Sequence, residues 1–257
     1  MKQISIMGCG WLGMPLAIDL IKKGYQVKGS TSTPTKLKTL EDEGIEPYLS
    51  EKGQKTIDSS DFFDNEIFMI NIPPRNTPED PNFHLDQLQA IANQIDFDKT
   101  KVLFISSTAV YPSPNAEVTE ADASYDCYSR GGVSLLKAEE IFSKEKNTTV
   151  LRMAGLYGPE RHPAVTLSGK KIGGKDSPVN MIHLDDCIGV IETILEQELW
   201  GETFNVCSPN HPTKEEFYKK SSKKLKIAPP TYSDIAIDYK IVNSDKLKAA
   251  TKYKFKH

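Results

Sequence analysis

Ile4-Ser5-Ile6-Met7, followed by Gly8-Cys9-Gly10-Trp11-Leu12-Gly13, is the stretch on which the reading of this chain turns. The first four residues are an apolar run of strand length. Over residues 12–22 the apolar positions Leu12, Leu16, Ala17, Leu20 and Ile21 share one helical face, and Gly24 ends the helix. A G-x-G-x-x-G segment set between a strand and a helix has the form of a dinucleotide-binding turn. The first glycine makes the tight turn, the second admits a pyrophosphate against the backbone, and the third lets helix and strand pack closely. The phosphates then rest on free N–H groups at a helix N-terminus. Gly8, Gly10, Trp11, Leu12 and Gly13 are therefore candidate cofactor contacts, and the chain is expected to bind NAD or NADP.

Working outward, strand-like runs and helical patterns alternate through the first two-thirds of the chain. Strands are expected at residues 25–29, 66–72, 101–106 and 149–153, and helices at 35–43, 84–93 and 133–142. The Pro-rich stretch 73–81 must be a loop after the 66–72 strand. This alternation predicts an α/β fold with a doubly wound parallel sheet. After about residue 157 the pattern breaks into short pieces, with helices only at 185–196 and 214–225. That predicts a Rossmann domain over 1–157 and a smaller C-terminal substrate lobe over 158–257, interleaved with the sheet.

The composition fits a soluble globular protein of 257 residues, 38% apolar and 26% charged. No apolar run is long enough to span a bilayer, and Lys2-Gln3 running into the glycines leaves no room for a signal peptide. Cys9, Cys127, Cys187 and Cys207 are scattered without C-x-x-C spacing, which fits a reducing compartment and gives no zinc or disulfide framework. A cytoplasmic location, no membrane partner and no metal are expected. Residues 213–257 carry twelve Lys against five Asp or Glu, but these lysines alternate with apolar residues, the pattern of solvated helix faces rather than a nucleic-acid surface.

An NAD-specific site usually carries an acid about 20 residues beyond the glycines. Here the second strand ends in Lys28-Gly29-Ser30-Thr31-Ser32-Thr33, with no acid. Ser30, Thr31 and Ser32, with Lys28 or Lys36 nearby, suit a 2′-phosphate, so NADP is favoured over NAD.

Further along come Ser106-Ser107-Thr108-Ala109-Val110-Tyr111-Pro112, Arg152-Met153-Ala154-Gly155-Leu156-Tyr157-Gly158-Pro159, Asn180-Met181-Ile182-His183-Leu184-Asp185-Asp186 and Phe204-Asn205-Val206. With the glycine turn, and in this order, these motifs resemble the short-chain dehydrogenase/reductase superfamily in its extended, atypical branch, the NAD(P)-dependent epimerase/dehydratase-like proteins. The resemblance covers nearly the whole chain. It implies that Ser107 is the catalytic serine that hydrogen-bonds the substrate oxygen. It implies that Ser106, Leu156 and Tyr157 line the cofactor cleft, with Asn71 and Pro73 beside the nicotinamide ribose. Asn180 and His183 match the motif that closes that cleft. Thr108, Arg75 and Arg161 border the expected substrate pocket, and Asp185 and Asp186 are expected to charge the first turn of their helix.

One departure stands out. The superfamily's Tyr-x-x-x-Lys pair, in which lysine and cofactor lower the tyrosine's pKa, is missing from residues 125–139. Tyr128 and Arg130 are the candidate replacements. Two readings follow: an oxidoreductase or epimerase that moves hydride on a small polar or sugar-like substrate, or a non-catalytic NAD(P)-binding sensor or scaffold. The turn alone also resembles hydroxyacid-dehydrogenase-type proteins, but the downstream motifs argue against that. The oligomeric state is open.

Overall fold

β1 (Gln3–Met7) carries Ile4, Ser5, Ile6 and Met7, all buried, as a strand enclosed on both faces requires. In the computed structural model, which describes residues 2–51, 53–74, 79–127 and 130–257 (the side chain of Arg130 excepted), β1 lies inside a seven-stranded sheet. After β1 come α1 (Gly13–Lys22), β2 (Gln26–Thr31), α2 (Leu37–Asp42), β3 (Glu46–Leu49), α3 (Ser60–Phe63) and β4 (Ile67–Ile70). α4 (Phe83–Ala92), β5 (Lys101–Ser107) and α5 (Arg130–Phe142) follow. The strands Thr148–Met153 and Thr203–Val206 complete the sheet, whose spatial order is Thr203–Val206, Thr148–Met153, β5, β4, β1, β2, β3.

β1 pairs in parallel with β2 on one side (Ile4 opposite Val27) and β4 on the other (Ile4 opposite Ile67). The chain runs outward from β1 through β2 to β3, then returns to lay β4 on β1's free side. The sheet order therefore reverses between β1 and β4, and in open α/β sheets ligands bind at the carboxyl ends of such a pair.

Side chains alternate with the period of two that a pleated strand imposes. Met7 of β1, Phe68 and Ile70 of β4, and Val102 and Phe104 of β5 join one core cluster with Phe62, Phe63, Leu88, Ile91, Ala138 and Phe142. Phe104 stacks on Phe142 with centroids 5.1 Å apart. Ser5, on the same face, satisfies its hydroxyl by donating to the Phe62 carbonyl at 2.6 Å.

The structure departs from the periodicity in three places. Residues 35–43 divide into a 3₁₀ turn, Pro34–Lys36, and α2. β3 and α3 are additional, the first a half-exposed edge strand containing Pro47 and the second a single turn. Past residue 153 the strands become short and pair in parallel, Gly155–Tyr157 with Met181–His183, Lys171–Ile172 with Thr231–Tyr232, and Lys240–Val242 with the earlier strand Ala116–Val118.

Two compact units result, neither contiguous. The first holds Met1–Ser106, Ser134–Leu151 and Ile191–Thr203, and the second Ser107–Val133, Arg152–Val190 and Phe204–His257. The sequence places a boundary near residue 157 with an interleaved C-terminal lobe; in the structure the chain enters the second unit three times. Among the described residues no helix is long and apolar enough to cross a membrane.

Phe142→Ala removes a fully buried ring from the stacked pair, and we expect a loss of about 3–5 kcal/mol of stability in urea unfolding. A loss under about 1 kcal/mol would mean the cluster collapses to fill the space.

Candidate functional site

The glycine turn is built by its neighbours on both sides. Gly8 has φ +105°, a conformation that side chains disfavour. Its N–H donates to Ser30 Oγ at 3.0 Å, and the next N–H, of Cys9, donates to the Ser30 carbonyl at 2.7 Å. From the β4 side, Asn71 N–H donates to the Met7 carbonyl at 2.9 Å, and Asn71 Nδ2 donates to the Gly8 carbonyl at 3.0 Å.

The three glycines are required for different reasons. A Cβ on Gly8 would lie 2.4 Å from the Asn71 carbonyl oxygen, and one on Gly13 would lie 2.3 Å from the Gly8 carbonyl oxygen. Both are glycine because backbone already fills the space. Gly10 is exposed, and a Cβ there would meet nothing within 4 Å. No contact within the described residues demands a glycine at that position. A ligand resting on the backbone would demand one, which is the role the motif gives it. α1 starts at Gly13 with no side-chain cap and no acid in its first turn, so no carboxylate competes with an anion there. The residues present fit a dinucleotide pyrophosphate.

At the end of β2 several of the candidate side chains bond groups of the protein itself. Ser30 is 1% exposed and holds Gly8, while buried Thr31 accepts the Thr33 N–H at 3.2 Å through its hydroxyl. Lys28 is paired with Asp61 at 2.9 Å. Ser32 is half-buried and Lys36 exposed. Ser106 is also committed: its hydroxyl donates to the carboxylate of Glu139 on α5, and both residues are buried. Asn71, placed by resemblance beside the ribose, is seen here as the clamp on the turn; Pro73 lies two residues beyond it. Trp11 is half-buried and Leu12 buried, next to Gly10 and Gly13.

In the second unit Ser107 ends β5 and caps the 3₁₀ turn Thr108–Val110, accepting the Ala109 N–H at 3.2 Å through Oγ. Thr108 is buried. The Tyr111 hydroxyl accepts from Arg152 Nη1 at 2.9 Å and donates to Asn205 Oδ1 at 2.5 Å. Arg152 also reaches the Glu120 carbonyl at 2.8 Å, and the Glu120 carboxylate accepts the Asn205 N–H at 2.8 Å. Burial pushes the Tyr111 phenol up to about 12 against the pull of Arg152, so the hydroxyl keeps its proton near neutrality and holds its place in this network. Asn180, an expected pocket residue, spends both ends of its amide on the Lys240–Val242 strand, donating to the Lys240 carbonyl at 2.9 Å and accepting from Val242 N–H at 2.8 Å. Tyr128 and Arg75 lie outside the described residues, as does the Arg130 side chain; Arg130 itself opens α5.

Tyr157 and His183 do come together, edge to face with centroids 5.0 Å apart. His162, on a loop that the sequence places at the border of the cleft, joins them, together with two residues that sequence reasoning missed, Phe217 and His257. Tyr157 packs against His162 and Phe217 at 5.4 and 5.8 Å, and His183 stacks on His257 at 3.8 Å. Leu156 is half-buried in the same strand and Arg161 is exposed beside His162. Burial, then the positive charge of His257, lowers the His183 pKa against the pull of Asp185 and Asp186. Asp185 and Asp186 both stand in the first turn of their helix, as expected, but Asp186 has a further role. It is fully buried and accepts from Tyr253 Oη at 3.0 Å, Lys256 N at 2.8 Å and His257 N at 3.1 Å, anchoring the 253–257 segment. A signal for that anchor was absent, because its partners lie about seventy residues away.

Residues 3–75 match the family model of the NAD binding domain of 6-phosphogluconate dehydrogenase. Over 243 residues the chain is 33% identical to Protein YeeZ of Escherichia coli (strain K12), with 90% of this chain and 87% of that protein covered. This chain belongs to the YeeZ family. Among solved structures, a functionally unknown conserved protein from Silicibacter pomeroyi DSS superposes on this YeeZ-family chain with a TM-score of 0.78 and 22% identity, covering 100% of it and 94% of the other. UDP-glucuronic acid 4-epimerase from Bacillus cereus, in complex with NAD, does so with a TM-score of 0.79 and 19% identity, covering 100% and 94%. The fold is that of the epimerase/dehydratase-like short-chain dehydrogenase/reductase proteins, as the ordered motifs imply. The 6-phosphogluconate dehydrogenase likeness stops at residue 75, just past the dinucleotide turn and its clamp.

All four cysteines are buried, and desolvation pushes the Cys9 and Cys207 thiols up to about 12. We expect no reaction of these two thiols with an aromatic disulfide reagent at about pH 8 in the native protein, and full reaction after unfolding. Rapid native labelling of Cys9 would mean that the turn opens. For Asp186→Ala, hydrogen exchange at the Lys256 and His257 amides should accelerate by about tenfold or more. Unchanged protection would show that other contacts hold the segment.

Proposed function

We propose that this YeeZ-family chain is an NADP-dependent oxidoreductase or epimerase acting on a small polar or sugar-like substrate. The observation that carries the reading is Gly10: exposed, with open space where a Cβ would stand, between two glycines that backbone contacts already explain. Backbone approach by a pyrophosphate accounts for it. NADP is favoured because the end of β2 carries Ser32, Thr33 and the exposed Lys36 and no acid. Ser32 and the exposed Lys36 are the groups we propose for the 2′-phosphate.

A bound nicotinamide supplies or accepts the hydride. The chain's own part is to hold and polarise the substrate. Ser107 Oγ takes the Ala109 N–H, which fixes the oxygen and leaves its proton to donate to a substrate carbonyl or alcohol oxygen. A UDP-sugar is the substrate class named for the B. cereus 4-epimerase, and a sugar-like polar compound is the corresponding expectation for this chain. One observation favours the second reading, a dinucleotide sensor without turnover: α5 reads RGGVSLLKAEEIF, with no tyrosine to accompany Lys137.

Calorimetric titration with NADPH, NADP, NADH and NAD tests the reading. Gly10→Ala should weaken dinucleotide binding by about tenfold or more while leaving the melting temperature unchanged, because the new methyl meets only open space. Lys36→Ala should raise the Kd for NADPH severalfold and leave NADH binding unaffected. If no dinucleotide binds, the proposal fails. Tight binding, with no oxidation of NADPH by any carbonyl compound or sugar nucleotide tried, selects the sensor. Oxidation that falls by about a hundredfold in Ser107→Ala selects the enzyme.

A further inference from the structure

The second unit holds a group of side chains that the dinucleotide reading does not use: His183, Asp185 and His257. His183 ends the strand Met181–His183, Asp185 lies in the first turn of the helix Leu184–Gln197, and His257 arrives 72 residues later. Their ligand atoms all lie within 4.8 Å of one another. Asp185 Oδ2 reaches a nitrogen of each ring, 3.4 Å from His183 Nδ1 and 3.1 Å from His257 Nε2. Ligand atoms around a tetrahedral zinc ion with bonds of about 2.0 Å are about 3.3 Å apart, so both spacings already match the edge of a coordination tetrahedron.

We propose that His183, Asp185 and His257 form a binding site for a divalent transition-metal ion of the zinc type, distinct from the dinucleotide turn and independent of it. Two imidazoles and one carboxylate are a borderline-soft donor set that selects zinc, cobalt, nickel or copper over magnesium or calcium. Three protein ligands leave a fourth position for water.

The surroundings favour the site over a chance surface cluster. Buried Asp186 takes the backbone N–H of His257 at 3.1 Å and that of Lys256 at 2.8 Å, which fixes the residue carrying the third ligand. His183 lies against Tyr157 on one side and stacks on His257 on the other, which keeps the ring nitrogens close, and a small tilt of the two rings brings their in-plane lone pairs onto one ion. Its Nδ1 lone pair takes the Asp185 N–H at 3.2 Å, a weak contact that a metal bond replaces. The charge of Lys224 reaches His183 and opposes a cation, while Asp185 and Asp186 act on the same ring with the opposite sign. Bound metal would clasp the 253–257 segment onto the strand and helix that supply the other two ligands.

The test is a titration of the tag-free protein with cobalt(II), read by its visible ligand-field bands and followed by zinc(II) competition. Saturable binding of one equivalent, displaced by zinc, is the expected result. His257→Ala and Asp185→Asn should each weaken binding by about tenfold or more. Zinc should raise the melting temperature of the parent protein and not that of His257→Ala, whose backbone anchor to Asp186 is intact. No saturable binding by the parent, or the same affinity and stoichiometry in His257→Ala, overturns the assignment. Because no dinucleotide enters this titration, its failure leaves the proposed activity untouched, and failure of the dinucleotide titrations leaves the metal site untouched.

Discussion

The amide of Asn71, holding the carbonyl of Gly8 at 3.0 Å, is the constraint around which the first unit is organised. It bridges the carboxyl ends of β1 and β4, the two strands between which the sheet order reverses. The same end of β1 is gripped from the other side by Ser30. The turn is therefore stretched between its two neighbouring strands, and its backbone has no room for side chains at Gly8 or Gly13. A phosphate cradle made of backbone must be rigid before its ligand arrives, because ordering it on binding would consume part of the affinity. Here the rigidity comes from two polar side chains, one buried and the other half-buried, neither of which a ligand needs to touch.

How far the fold was legible depended on burial. β1, β4, β5 and the strand Thr148–Met153 are enclosed on both faces, so their apolar runs announce them. β3 does not: Glu46-Pro47-Tyr48-Leu49 sits at the sheet's edge, half-exposed, where neither a continuous apolar run nor β-propensity is demanded. α3 is a single turn, too short to show a period. The glycine turn was readable because a local motif encodes a local structure. The candidate site beyond it was read in part. Tyr157 and His183 were picked out and do pack together, while Ser30, Ser106 and Asn180 proved to be bound to the protein's own groups. Hydroxyls and amides near a ligand cleft look alike in sequence whether they face the ligand or the scaffold. Only the partner distinguishes the two cases, and Glu139, Gly8 and Lys240 lie 33, 22 and 60 residues from their respective partners.

The second unit is specified differently. Its strands are two or three residues long at most of the described pairings, and polar contacts at long sequence separation do much of the joining. Arg152, buried, would cost several kcal/mol if unmatched. It is matched by a phenol and a backbone carbonyl, and the same phenol engages Asn205. Three chain segments thus meet on Tyr111. Asp186 performs a similar service for the segment at 253–257. Such groups contribute less to net stability than equal apolar volume would, but they accept few alternative partners and so fix which segments are neighbours.

The discontinuity of the two units also imposes an order on how the protein can be made. The first unit draws its last piece, Ile191–Thr203, from beyond most of the second. A nascent chain that has emerged only to residue 157 holds the glycine turn and the strands around it, yet lacks the sheet's terminal strand, Thr203–Val206, and the Ile191–Thr203 piece that the first unit requires. Folding therefore cannot proceed half by half during synthesis in the usual domain-wise manner. The Thr148–Met153 strand must wait with one edge unpaired while some fifty further residues are synthesised, and that interval is where the growing chain is most exposed to misassociation.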